Sequence, residues 1–315
     1  MADSRRIATR QSYGDVLLEL GAEHDDFVVL DADLAAATQT GRFKEAFPDR
    51  FYDVGIAEAN MMGVAAGIAS TGRTVFVSSF AMFAVGRAWE QIRNSIAYPH
   101  LNVKICATHA GISVGEDGAT HQALEDMALM RVIPEMTIVC PCDDIEARAA
   151  VRAIYELDGP VYLRLSRLAV PVVCDSIPNY SFELGHGFVA RRGSDVTIVA
   201  CGLTVQAALD AAEILAAEGI DAEIIDMHTI KPLDVDLVAE SAAKTGHVVT
   251  CEEHSIIGGL GGAVCEALAE RCPVPVHRVG LNETFGESGP ALELLHKYGL
   301  DGEGIAASVR EALNA

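Results

Sequence analysis

The chain has 315 residues, of which half are hydrophobic, 22% are charged and only 6% are aromatic. That balance excludes a disordered chain, a collagen-like repeat and a coiled coil, and the length favours two domains of ordinary size. A formal net charge of −22 with no basic run repels nucleic acid and anionic membrane surfaces, so neither is expected as a partner, and an anionic ligand must be held by a few well-placed cations.

The first residues, MADSRRIATRQSYGDVLLEL, carry no apolar core of the signal-peptide kind, and no stretch approaches the roughly 18 apolar residues of a membrane span. A cytoplasmic protein is expected. In chain order, strands are predicted at 27–34, 74–80, 103–110, 137–142 and 161–166. Helices are predicted near 57–70, 83–97, 122–131 and 143–157. A second series follows, with strands at 196–202, 222–227, 247–253 and 276–280 and helices near 204–217, 234–243, 260–271 and 301–313. Near-continuous apolar strands alternating with Ala-rich helices imply an α/β fold of two domains, each a mostly parallel sheet flanked by helices. The stretch 171–187 has no helical period and two prolines, so the division is expected as 1–173, a linker at 174–190, and 191–315. Most of the eight cysteines lie in strand-like runs and read as buried reduced thiols. Cys140-Pro-Cys142 is one residue short of a redox pair and is given no function.

Three segments could carry chemistry. Glu58 and Asp53 are the only charged residues of DVGIAEANMMGVAAGIASTG (53–72). A carboxylate among Ile56, Ala57, Met61 and Met62 must be paired, hydrogen-bonded or protonated if buried. Otherwise it lies on the solvent face of a helix start, stabilised by the dipole. The segment THAGISVGEDGATHQALED (108–126) leaves a strand at His109, crosses a glycine-containing loop bearing Glu116 and Asp117, and enters a helix after His121. Open α/β sheets bind ligands at such strand ends, although Asp117 as a turn former and the imidazoles as caps is the plainer alternative. Its spacing fits no metal motif, and no metal ligands are assigned. Phe80 and Phe83, three apart, suit either the core or a stacking wall for a planar ring. The glycines of GGLGG (258–262) invite a dinucleotide reading. It is rejected because the third glycine of the fingerprint is missing and Glu252 and Glu253 end the preceding strand.

Taken together, ATR (8–10), DADL (31–34), GIAEANMMGVAAGIA (55–69), SFAMF (79–83), GEDGATHQALED (115–126) and LSR (165–167) resemble, in this order, the carboxyl-terminal portion of transketolases. GEDGATHQ is the most specific piece, and the resemblance runs from about residue 8 to the end. It is greatest to the separately encoded carboxyl-terminal subunit of a split bacterial transketolase. The resemblance implies that 1–173 is the domain that binds the aminopyrimidine of thiamine diphosphate and 191–315 the family's C-terminal domain. The implied reaction is transfer of a two-carbon ketol unit between sugar phosphates.

Residue by residue, Glu58 matches the glutamate that contacts the aminopyrimidine ring nitrogen and favours its imino tautomer. Phe80 and Phe83 match the aromatic wall against the pyrimidine, and Asp33 a residue near the thiazolium. Arg10 and Arg167 match the arginines that clamp the sugar phosphate, with His109 close to it. Asp117 and His121 match groups that hydrogen-bond substrate hydroxyls and the reacting carbonyl oxygen. The resemblance thus makes Glu58, His109 and His121 the expected catalytic residues. Two positions depart from the family: a serine of the phosphate cluster falls at Ala37 or Thr38, and a tyrosine after the stacking aromatics falls at Gly86.

No GDG motif of the kind that holds Mg²⁺ and the diphosphate occurs in the chain. The resemblance therefore implies a partner, a diphosphate-binding amino-terminal subunit that mainly holds metal and diphosphate, in an α2β2 assembly. The β subunit of a 2-oxoacid or acetoin dehydrogenase is the alternative, since it shares the domain order and the glutamate. GEDGATHQ and the two arginines argue against it. A non-catalytic scaffolding subunit is disfavoured by the retention of Glu58, His109, Asp117 and His121.

Overall fold

A computed structural model describes residues 5–314. The strands Phe27–Asp31, Thr74–Phe80, Val103–Thr108 and Val161–Arg164 are buried along their whole length, as their largely apolar sequences require of strands covered on both faces. They lie in a seven-stranded sheet whose spatial order is Thr229–Lys231, Thr137–Val139, Val161–Arg164, Val103–Thr108, Thr74–Phe80, Phe27–Asp31, Phe51–Asp53. Six strands are parallel. The seventh, Thr229–Lys231, comes from the second half of the chain and adds antiparallel to the edge. A second, five-stranded sheet has the order Val276–Leu281, Val248–Ser255, Val196–Ala200, Ala222–Asp226, Phe188–Arg191, with only the last strand antiparallel.

The two-domain, mostly parallel α/β architecture matches the expectation, with local differences that have physical reasons. The strand expected over 27–34 stops at Asp31, whose buried carboxylate accepts the Leu34 N–H and the Thr38 and Thr40 hydroxyls and so turns the chain. The helix expected over 83–97 is two π-helical turns, Met82–Arg87 and Ile92–Ala97, around Trp89–Gln91. The helix expected at 122 starts only at Asp126, because the Gln122 side chain is committed to loop carbonyls and Ala123 bridges to Ala110. The strand Phe188–Arg191 begins inside the stretch 174–190. The helix Thr9–Glu23 has no counterpart in the prediction. Six of the eight cysteines are buried. Among the described residues no helix is long and apolar enough to cross a membrane.

The two halves share a core. Val238, Ala242, Leu260 and Val264 of the second half belong to one apolar cluster with Met127, Met130 and Ile133 of the first. Beside it lies a buried polar network. Arg164, 3% exposed, donates from Nε to Asp126 (2.7 Å) and from its terminal nitrogen to the Glu253 carbonyl (3.1 Å). Tyr162 donates to the same Asp126 oxygen at 2.6 Å. Removing one partner of such a pair leaves a charge without compensation. Asp126→Ala should therefore cost about 3–5 kcal/mol in urea unfolding of the full chain. A loss below about 1 kcal/mol would show that Arg164 does not depend on Asp126.

Candidate active site

Parallel strands deliver their following loops to one edge of the sheet, and five neighbouring strands here deliver nearly every candidate residue. Val161–Arg164 leads to Arg167, and Val103–Thr108 to His109, Asp117 and His121. Thr74–Phe80 ends in Phe80 and leads to Phe83. Phe27–Asp31 leads to Asp33, and Phe51–Asp53 to Glu58. Arg10 lies in the first turn of Thr9–Glu23. It meets Arg167 because Arg6–Ile7 pairs antiparallel with Val170–Pro171 and the Thr9 hydroxyl accepts the Ser166 N–H at 2.8 Å.

The two arginines bracket a cleft of about 510 Å³, lined also by Ser113 and by Pro290–Glu293 of the second half. Arg10 donates to the Ala37 carbonyl at 2.6 Å, and Arg167 to the Val114 carbonyl and, at 3.0 Å, to Glu116. Burial, reinforced by Arg167, pulls Arg10 below the usual arginine range. Two guanidinium groups held this close favour an anion between them. The departure at Ala37 and Thr38 has a structural consequence. The Thr38 hydroxyl is buried and donates to Asp31 at 2.7 Å, so it is spent, and Ala37 offers Arg10 only its carbonyl.

His109 has a left-handed backbone (φ 56°), is 3% exposed and stacks on Phe80 with ring centroids 3.7 Å apart. Its Nδ1 is 2.9 Å from the Thr108 hydroxyl, which leaves Nε2 free for a ligand. Burial, then Arg10, Arg167 and His121, lowers its pKa to about 3, so the ring is neutral at physiological pH. Phe80 and Phe83 stack with their planes 19° apart, and His121 meets Phe83 edge-on at 5.1 Å. Asp117 is exposed at the end of the turn Ile112–Asp117. Asp33, also exposed, is fixed through its backbone: its N–H and that of Gly55 both bond Asp53 Oδ1, at 3.1 and 3.0 Å. Asp33 is thereby tied to the segment that leads to Glu58.

Glu58 opens the helix Glu58–Ala69 and is 3% exposed, which decides between the two sequence alternatives in favour of burial. Its partner is Arg87, whose Nη1 lies 3.2 Å from both carboxylate oxygens. The same guanidinium lies 4.2 Å from the Phe83 ring centroid. Arg87 has no role in the sequence reading, although its position four residues after Phe83 puts both on one helical face. At Gly86 an added Cβ would meet the Met82 methyl at 2.6 Å, so the flexible end of Met82 fills that position.

Two further residues that sequence reasoning missed shape the loop 111–118. Gln122 donates to the carbonyls of Ile112, Gly115 and Glu287. Glu253, from the second sheet, accepts the Ser113 N–H at 3.1 Å, and burial raises its pKa to about 7. Gly111, at φ 80°, leaves the space that the Glu253 carboxyl occupies. Its neighbour Glu252 accepts the Leu260 and Gly261 N–H groups, so a carboxylate of the chain itself caps the helix Leu260–Arg271 that begins within GGLGG, where a pyrophosphate would have to sit.

Comparisons with known proteins identify the family. Residues 5–172 match the family model of the transketolase pyrimidine binding domain, and residues 185–305 that of the transketolase C-terminal domain. A Methanocaldococcus jannaschii chain, provisionally named a transketolase C-terminal section, is 52% identical over 96% of each chain. The 6-deoxy-6-sulfo-D-fructose transketolase subunit of Clostridium sp. (strain MSTE9) is 47% identical, covering 96% of this chain and 93% of that one. A solved split-gene transketolase, described as an inactive β4 tetramer, superposes with a TM-score of 0.88 at 53% identity over 98% of both chains. The chain belongs to the transketolase family, whose members depend on thiamine diphosphate, and it carries that family's pyrimidine-binding and C-terminal domains.

Proposed function

We propose that this chain is one subunit of a split transketolase that transfers a two-carbon ketol unit between sugar phosphates. Its division is proposed as 1–173 for the pyrimidine-binding domain, 174–190 for the linker and 191–315 for the C-terminal domain. The partner is a diphosphate-binding amino-terminal subunit that holds Mg²⁺ and most of the diphosphate, in an α2β2 assembly in the cytoplasm. That part of the reading rests on the missing GDG motif and on subunit-type relatives.

The observation that carries the reading is the contact set of Arg87. Its planar guanidinium donates to buried Glu58 while covering Phe83, the two contacts that a planar aminopyrimidine would make here. Arg87 is about half-exposed, so it can move aside. The residues present therefore fit the cofactor: Glu58 would meet the ring nitrogen, Phe80 and Phe83 the ring face, and Asp33 the thiazolium side. When bound, thiamine diphosphate supplies the carbanion chemistry that breaks and re-forms the bond beside the ketose carbonyl. Glu58 holds a proton between its carboxyl oxygen and the ring nitrogen, in a position where burial strengthens that hydrogen bond. Arg10 and Arg167 grip the phosphate and set the register of the sugar chain. Neutral His109, with Nε2 free, donates to the phosphate or to an adjacent hydroxyl. Asp117 and His121 orient the hydroxyls and the reacting carbonyl.

The test is ketol transfer from a ketose phosphate by the chain assembled with its diphosphate-binding subunit, Mg²⁺ and thiamine diphosphate. Transfer is expected. Glu58→Gln should lower kcat by about 10²–10⁴ with assembly intact. Arg10→Ala or Arg167→Ala should raise KM for phosphorylated ketoses by about tenfold or more, and leave that for unphosphorylated ones nearly unchanged. Decarboxylation of a 2-oxoacid without ketol transfer would favour the dehydrogenase β-subunit reading instead.

A second outcome concerns His109. Its folded pKa of about 3 lies below the unfolded value near 6.5, so below that value the unfolded state binds a proton that the folded state does not. His109 therefore lowers stability as the pH falls from about 6.5 towards 3. In NMR spectra of the full chain its ring signals should not titrate between about pH 5 and 8, and inorganic phosphate should shift its pKa upward. An ordinary titration near 6.5 without phosphate would contradict the burial of His109 beside the two arginines.

A further inference from the structure

Four side chains from three separate stretches of the chain meet in the interior where the two sheets and their connection come together. Cys142 follows the strand Thr137–Val139, and Glu146 lies in the first turn of the helix Asp144–Glu156. Cys174 begins the turn Cys174–Ser176, and Asp226 ends the strand Ala222–Asp226. All four are buried, and one donor atom from each lies within 4.8 Å of every other. Asp226 has no solvent exposure, and among the described residues its carboxylate oxygens accept no N–H or hydroxyl; what faces them is the Glu146 carboxylate and the Cys142 thiol. A buried carboxylate with both oxygens unsatisfied is costly, and such a group calls for an explanation.

The sulfurs carry the second observation. Cys142 Sγ and Cys174 Sγ are 3.6 Å apart, too far for a disulfide. Two thiolates on one tetrahedral zinc, each about 2.3 Å from the metal, are separated by about 3.8 Å, close to what is found here. The surroundings hold the donors in place. Asp143 accepts the Glu146, Val173 and Cys174 N–H groups at 3.0, 2.7 and 2.8 Å, which fixes the helix start against the connecting segment. Glu146 accepts the Cys142 N–H and the Tyr180 hydroxyl, both at 2.6 Å, and each of its oxygens keeps a further lone pair.

We propose that Cys142, Glu146, Cys174 and Asp226 form a structural site for one zinc ion, which ties the first sheet, the connecting segment and the second sheet together. Two thiolates and two carboxylates around Zn²⁺ leave a net charge of −2, the same as in a four-cysteine site. Zinc binds cysteine as the thiolate, so uptake of the metal by the two thiols releases their protons to solvent. The spacing 142, 146, 174 and 226 belongs to no ligand motif, which is why the sequence reading assigned no metal. The site is independent of the sugar-phosphate chemistry, and it is tested without any activity measurement.

The full chain, purified without chelator from zinc-replete cells, should contain about one zinc per chain by elemental mass spectrometry. After chelation, Co²⁺ should produce the intense visible absorption of a tetrahedral thiolate complex, and Zn²⁺ should displace it. Cys142→Ser with Cys174→Ser should abolish both signals. Asp226→Asn preserves shape and should weaken zinc binding by at least about tenfold, and it carries the test if the double variant does not fold. A metal-free chain with no cobalt spectrum would overturn the proposal. So would a Cys142–Cys174 disulfide in the native chain, or undiminished zinc in the double serine variant.

Discussion

Five parallel strands ending along one edge of a sheet impose the geometry on which everything else depends. Glu58, Phe80, Phe83, His109, Asp117, His121 and Arg167 are spread over more than a hundred residues of sequence. They converge because each follows a strand of the contiguous series from Val161–Arg164 to Phe51–Asp53. Arg10 is the exception, since it precedes the first long strand. Its recruitment depends on the short antiparallel pairing of Arg6–Ile7 with Val170–Pro171, which closes the chain on itself beside Arg167. A strongly acidic chain thereby concentrates two of its few cations at one cleft, where local contacts outweigh the surrounding field.

The second half of the chain has a supporting part in that arrangement. Glu253 holds Ser113 from below the loop, Glu287 offers its carbonyl to Gln122, and Pro290–Glu293 line the arginine cleft. Arg164 links Asp126 at the start of one helix to the backbone of Glu253. The loop that carries His109 to His121 is therefore braced from both halves, which accounts for glycines at Gly111, Gly115 and Gly118, where φ is positive and neighbouring atoms approach closely.

Much of this was legible in the sequence, and the rest was hidden for identifiable reasons. The central strands were visible because burial on both faces favours mostly apolar runs, as in FVVL (27–30) and TVFV (74–77), even where a buried Lys104, satisfied by the Leu157 and Gly159 carbonyls, interrupts one. The helix Thr9–Glu23 was not, because it buries Thr9, Ser12, Gly14 and Gly21 among its apolar residues. Small positions let Gln39, Phe43 and Phe47 pack close, and they blur the apolar stripe. Thr229–Lys231 is three residues long and finds its partner in the other half, so no local pattern marks it. Within the site, motif residues were readable one by one. The partners that position them were not. Arg87 could have been found from its four-residue spacing to Phe83. Glu253 and Gln122 act through contacts across as many as 165 residues of chain, which a linear pattern does not encode.

The family's pyrimidine-binding and C-terminal domains account for residues 5–172 and 185–305, and the proposed function makes the site one side of a pocket shared with a diphosphate-binding subunit. Calorimetric binding of thiamine diphosphate with Mg²⁺, to the chain alone and then to the chain mixed with its diphosphate-binding subunit, tests this most directly. Saturable binding is predicted only for the mixture, with the chain alone giving no more than the heat of dilution. Saturable binding by the chain alone at the same concentrations would contradict the shared site.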